Sequence, residues 1–170
     1  MASSGSGAHI QIRAVGGEAA GLLAELHELC LAGGQAGVTR PWTEAEFSNL
    51  LRMPSYRALV ATKASDYPDG LEVPVGFVIG MYAGDEGDLL FIGVVPDYLR
   101  RGIGLMILDA FLADAKSLGV CNMLLEVAEG NEAARKLYAR CGFHEIAKRK
   151  NYYRSDDGHS QNAVVMKFGF

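Results

Sequence analysis

The stretch GVVPDYLRRGIGLMIL, Gly93 to Leu108, joins an apolar strand to a helix through a short turn. The run LLFIGVV that feeds the turn is nearly continuous in apolar residues, which suits a strand covered on both faces inside a sheet. Beyond the turn, Ile103, Ile107, Leu108, Phe111, Leu112 and Ala115 share a helical face, and Gly119 stops the helix. CNMLLEV, Cys121 to Val127, then supplies the next strand. This β-α-β unit fixes the centre of the fold, and the remaining elements have to be arranged around it.

Those elements can be read in order. Leu22, Leu23, Leu26, Leu29 and Cys30 recur at three- and four-residue spacing, predicting a helix over Glu18 to Leu31 that GGQAG, Gly33 to Gly37, ends. In PWTEAEFSNLL, Thr43 and Glu46 have the spacing of a capping box ahead of Phe47, Leu50 and Leu51, and Pro54 closes that helix. Tyr56 to Thr62 and Val73 to Tyr82 read as a hairpin around SDYPDG, and GDEGD, Gly84 to Asp88, makes the next turn. NEAARKLYARCGF is a short helix with Asn131 as N-cap and Gly142 as its terminal glycine. Two last strands, about Glu145 to Tyr153 and Ala163 to Phe168, flank RSDDGHSQN. The expected class is α+β, a mixed and mostly antiparallel sheet flanked by helices. A length of 170 residues with 49% hydrophobic content suits one domain over residues 9–170, with residues 1–8 as a flexible arm or expression remnant.

A net charge of −4 offers no overall basic footprint, so direct nucleic-acid binding is not expected and any anionic ligand must be met locally. The three cysteines, Cys30, Cys121 and Cys141, are widely spaced among apolar residues, which fits buried reduced thiols rather than a disulfide framework or a metal site. No apolar window approaches about eighteen residues and the start lacks a signal-peptide pattern, so a cytoplasmic protein without membrane contact is expected. His144 and His159 are expected at the surface.

The turn has the chemistry to hold phosphate. Glycines let a ligand approach the main chain, the first helical N–H groups are unpaired donors, and Arg100 and Arg101 add cationic charge. A dinucleotide fingerprint fits poorly because the third glycine is missing, and no Walker loop is present because no Gly-Lys-Ser/Thr follows. Glu126, a carboxylate inside the apolar MLLEVAEGN, is either an outward-facing strand residue or a functional group. Tyr138, twelve residues on, is read by itself as an ordinary core tyrosine or as a donor.

Taken together, GVVPDYLRRGIG…LEVAEGNEAARKLYARCGF resembles the GNAT family of acetyl-CoA-dependent N-acetyltransferases over roughly Leu71 to Phe168. RPWTEAEF and KRKNYYRSDDG…NAVVM extend the likeness toward the branch that acetylates protein N-termini, above all the N-terminal alanine of a small-subunit ribosomal protein. The resemblance implies acetyl-CoA as donor, with Ile92, Gly93 and Val94 along its acetyl and pantetheine arm. Arg100, Arg101, Gly102, Ile103, Gly104 and Leu105 would hold the pyrophosphate, and Asn131 the coenzyme further along. It implies Glu126 as general base, acting by desolvation or through a water, and Tyr138 as the acid that protonates the leaving thiolate. Trp42, Tyr152 and Tyr153 would border the peptide entrance. Leu99 and Leu105 replace polar residues usual in the family, so one phosphate contact is expected to be lost at Leu99. Direct amine attack needs no enzyme nucleophile, and Cys141, packed before Gly142, is not expected to serve as one. The implied partner is a protein N-terminus, met by a monomer without a metal; acetylation of a small amine or lysine, and acyl-CoA binding without catalysis, stay open as alternatives.

Overall fold

The computed structural model describes residues 9–32, 40–65, 70–154 and 160–170. Seven strands form one sheet: β1 (Ile10–Val15), β2 (Tyr56–Ala64), β3 (Glu72–Ala83), β4 (Glu86–Val94), β5 (Asn122–Ala128), β6 (His144–Arg154) and β7 (Ser160–Gly169), in the spatial order β1-β2-β3-β4-β5-β7-β6. Only β4 and β5 pair in parallel, joined by α3 (Ile103–Ser117); the other pairs are antiparallel. This is the mixed, mostly antiparallel sheet expected from the sequence. The remaining helices are α1 (Ala20–Ala32), α2 (Glu44–Leu51) and α4 (Glu132–Arg140).

Alternation along the strands divides the core in two. Val75, Val78, Ile92, Val94, Met123, Leu125 and Val127 face α3 and α4, against Ile107, Phe111 and Tyr138. Phe77, Ile79 and Phe91 face α1 and α2, against Leu23, Leu26, Cys30 and Phe47. Both N-caps expected from the sequence are formed. Thr43 and Glu46 make a reciprocal capping box, and the Ala134 N–H donates to Asn131 Oδ1 at 3.1 Å.

Several details differ from the sequence reading. The first strand, IQIRAV, was not expected; its half-exposed pattern is too weak to stand out, and it forms by pairing with the open edge of β2. The turn expected over Gly84 to Asp88 shrinks to Gly84 and Asp85, because Ala83 already pairs with Glu86 and Gly84 supplies the positive φ (66°). Of the cysteines only Cys30 is buried; Cys121 is exposed and Cys141 half-buried. Cys121 is exposed because it sits where the chain enters β5, with its N–H bonded to the Asp85 carbonyl. His144 is exposed as expected, whereas residues 1–8, GGQAG, the centre of SDYPDG and His159 lie outside the described residues.

One polar group in the core was not anticipated. His27 on α1 is fully buried among Trp42, Phe47, Phe77 and Phe91. Burial pushes its pKa down to about 4, against a small opposing pull from Glu46. The unfolded chain therefore takes up a proton first as pH falls below about 6.5, and stability is lost progressively toward pH 4. We expect the protein to lose about 2 kcal/mol between pH 7 and pH 5. Urea unfolding at the two pH values checks this, and an unchanged midpoint would contradict it.

Candidate active site

The β4–α3 turn is built to leave donors unpaired. After the Val95 N–H donates to the Val75 carbonyl (2.9 Å), residues Pro96–Tyr98 make one 3-10 turn and Leu99 is extended. Arg100 (φ 63°) and Gly102 (φ 80°) then turn the chain through the left-handed region. The first helical bond runs from the Met106 N–H to the Gly102 carbonyl, so the N–H groups of Ile103, Gly104 and Leu105 precede any closed turn of α3. A Cβ on Gly102 would meet nothing within 4 Å, leaving open space over these donors. Arg101 folds back, donating to the Asp97 carbonyl (2.9 Å) and lying 5.2 Å from the Tyr98 ring centre. Arg100 makes no side-chain hydrogen bond or ion pair among the described residues. Open space, unpaired donors, a helix N-terminus and one uncommitted guanidinium fit an anionic phosphate group. Leu99, 46% exposed, adds no donor there.

Beside the turn the sheet opens into a slot. Parallel pairing of β4 and β5 stops at Leu89 and Leu125, while β4 stays on β3 as far as Val94 and β5 stays on β7 as far as Ala128. A bulge at the level of Ile79/Gly80 leaves Leu90 as the extra residue and bends β4 at this point. Because the Val95 N–H points to β3, backbone alternation aims the N–H and C=O of Val94 and Ile92 the other way, into the slot. Gly93 packs against α1, where a Cβ would lie 2.7 Å from Cys30 Sγ. An extended polar chain could pair with this free strand edge.

Glu126 and Tyr138 stand on opposite faces of that slot. Glu126 alternates with the core residues Leu125 and Val127, which directs it to the α1 and α2 face. Its carboxylate accepts from Arg149 Nη1 at 2.5 Å, and the Tyr152 hydroxyl lies within its hydrogen-bonding reach. The Arg149 guanidinium also lies 3.9 Å from the Tyr152 ring centre. Tyr138 is buried on the α3 and α4 face, and burial, with Tyr153 nearby, pushes its phenol above the usual range. Tyr153, half-buried, is itself pushed up to about 12 by burial and by the Glu126 carboxylate. It thus feels both groups.

The tyrosine pair is presented by an irregular strand. Between Arg149 and Tyr153 the β6–β7 register shifts, with Asn151 in the left-handed region (φ 53°). The Asn151 N–H donates to Asn162 Oδ1 (3.1 Å) and Ser160 Oγ donates to Asn151 Oδ1 (2.8 Å). Lys148 pairs with Glu129, and Asn162 also donates to Glu129. Simple alternation at the sheet edge would have put Tyr152 and Tyr153 on opposite faces. The bulge instead brings their ring centres to 5.1 Å.

Trp42 packs on the α1 and α2 side. Its ring is half-buried against His27 (5.2 Å) and Phe47 (5.3 Å). The structure thus gathers Glu126, Tyr138, Tyr152 and Tyr153 around one slot and ties Trp42 to its β4 wall through His27 and Phe91. Sequence reasoning missed His27 and Arg149. A histidine inside an apolar helical face was a signal for the first, and KRKNYY offered none for the second. The half-buried Cys141 thiol is pushed up to about 11 by burial and by Asp109.

Comparison with known proteins gives this geometry a setting. The model of the acetyltransferase (GNAT) family matches residues 23–143. The ribosomal protein bS18-alanine N-acetyltransferase of Salmonella typhimurium is 40% identical over 90 residues, 53% of this chain. The chain spans 60% of that relative's length. The N-alpha-acetyltransferase RimI of Mycobacterium tuberculosis is 33% identical over 118 residues, 67% of this chain and 68% of the relative. The crystal structure of the ribosomal-protein-S18-alanine N-acetyltransferase from Escherichia coli superposes with a TM-score of 0.78 at 27% identity, covering 95% of this chain and 94% of that one.

Proposed function

The chain belongs to the acetyltransferase (GNAT) family, and from that premise we propose that it transfers an acetyl group from acetyl-CoA to the α-amine of a protein N-terminus. The observation that carries the proposal is the placing of Glu126 and Tyr138 on opposite faces of a slot edged by unpaired backbone of Ile92 and Val94. Acetyl-CoA, when bound, supplies an activated thioester. The N–H groups of Ile103, Gly104 and Leu105, with Gly102 and Arg100, hold its pyrophosphate. Arg101 braces the turn, Asn131 borders the coenzyme at the start of α4, and the edge of Ile92, Gly93 and Val94 aligns the acetyl arm.

The chemistry follows from the two faces. An incoming amine titrates near about 8 and has to lose a proton before or during attack. Glu126 takes that proton on the α1 and α2 side, through a water, because Arg149 already occupies one carboxylate oxygen. The Val94 N–H polarises the acetyl carbonyl. Tyr138 donates to the departing sulfur from the far side; burial keeps its phenol neutral and available as a donor. Amine and thiol thus exchange across the slot in one ternary complex, with no covalent enzyme intermediate.

The likeness to the Salmonella typhimurium and Mycobacterium tuberculosis relatives supports a protein N-terminus as acceptor, the N-terminal alanine of a small-subunit ribosomal protein first. Trp42, Tyr152 and Tyr153 border its entrance. The same reading takes residues 9–170 as one catalytic domain acting as a cytoplasmic monomer, without metal, nucleic acid or membrane. Among the described residues no helix is long and apolar enough to cross a membrane. Assaying N-terminal peptides beside polyamines, aminoglycosides and a peptide with only a lysine amine tests the acceptor class. We expect turnover on the N-terminal peptides, and turnover confined to small amines would overturn the proposal.

A further inference from the structure

We infer that His27 is a positioning residue for the acceptor side of the slot, fixing the main chain of Trp42 against the β4 wall; this rests on the proposed role of Trp42 at the peptide entrance. The Trp42 N–H donates to His27 Nδ1 at 2.8 Å. That bond assigns the imidazole hydrogen to Nε2. Among the described residues the buried Nε2 has no partner, a penalty that leucine or phenylalanine at this position would avoid. The residue therefore serves the Trp42 N–H at a cost to the core.

The surroundings make the anchor specific. Pro41 has no N–H, so Trp42 carries the first donor of this segment after Arg40. The next donor, the Thr43 N–H, goes to Glu46 Oε2 at 2.8 Å, and Arg40 clamps the same carboxylate through Nη1 (2.9 Å) and Nη2 (2.6 Å). Arg40, Trp42 and Thr43 are thus each tied down, and His27 is the tie that runs inward. Its ring meets Phe91 edge-on at 4.4 Å, one residue before the Ile92 edge of the slot. The platform is set before any peptide arrives, which lowers the ordering cost of binding.

Three variants of the full chain test this. His27→Asn can keep an acceptor near the Nδ1 position, His27→Gln places it near Nε2, and His27→Leu removes it. Trp42 is the only tryptophan, so acrylamide quenching of its fluorescence reports the anchor without any substrate. We expect His27→Leu and His27→Gln to expose Trp42 to quenching and to raise the KM for an N-terminal peptide about tenfold, with the KM for acetyl-CoA unchanged. His27→Asn should restore both. If His27→Leu fails to fold, the contrast between Asn and Gln decides. Equal quenching in wild type, Asn and Gln overturns the inference even where no peptide is acetylated, and altered quenching with an unchanged peptide KM overturns it too. Absence of peptide turnover in the wild type counts against the proposed acceptor, while quenching still judges the anchor.

Discussion

Tyr138→Phe is expected to lower kcat about a thousandfold while acetyl-CoA still binds. The phenol is buried among Phe143 and the α3 core, with ring centres 5.8 Å apart, so removing one oxygen leaves the ring's packing in place. On the proposed mechanism, what disappears is the donor for the departing thiolate. Burial and Tyr153 push the phenol above its ordinary value, so the donor stays protonated through the neutral range and contributes no alkaline limb below about pH 10. Glu126→Gln is expected to cost less, about a hundredfold, because a bound water can pass the amine proton to solvent. Stopped-flow thiol release with both variants, beside acetyl-CoA titration, checks the pair. A Tyr138→Phe enzyme with wild-type kcat would remove Tyr138 from the mechanism.

Gly102→Val is expected to raise the KM for acetyl-CoA between about 10- and 100-fold with little effect on the peptide KM. Gly102 sits at φ 80°, where a β-branched side chain is strained by roughly 1–3 kcal/mol. A Cβ there meets no protein atom within 4 Å, so the fold itself has room for it. On the proposed binding mode, the added side chain occupies space beside the α3 N-terminus that the pyrophosphate would take. Gly104→Ala is the contrasting substitution. Its Cβ would make ordinary contacts with Leu137 (3.5 Å) and Val94 (3.7 Å), and Gly104 stands among the residues with ordinary φ, so a change within about threefold is expected. Calorimetric titration of both variants with coenzyme A separates binding from turnover.

Much of this was legible in local pattern. The helical face from Ile103 to Ala115, the Thr43–Glu46 capping box and the Asn131 cap are short-range features, fixed by periodicity or by one hydrogen bond to a near neighbour. The turn glycines could be read for the same reason. What could not be read depends on partners far along the chain. The slot exists because β3 holds one wall and β7 the other, and no residue in LLFIGVV or MLLEVAE announces where two parallel strands part. The bulge that gathers Tyr152 and Tyr153 needs Asn162 and Ser160 from the next strand. Arg149 meets Glu126 across 23 residues, and His27 meets Trp42 across 15. The elements and their caps were local; the geometry of the slot was tertiary.

The most direct measurement is thiol release from acetyl-CoA with a short peptide beginning Ala-Arg-Tyr, run beside the same peptide with its α-amine blocked. The account predicts release with the free amine alone, lost in Tyr138→Phe. Equal release from both peptides, or none from either while acetyl-CoA binds, would contradict N-terminal acetyl transfer.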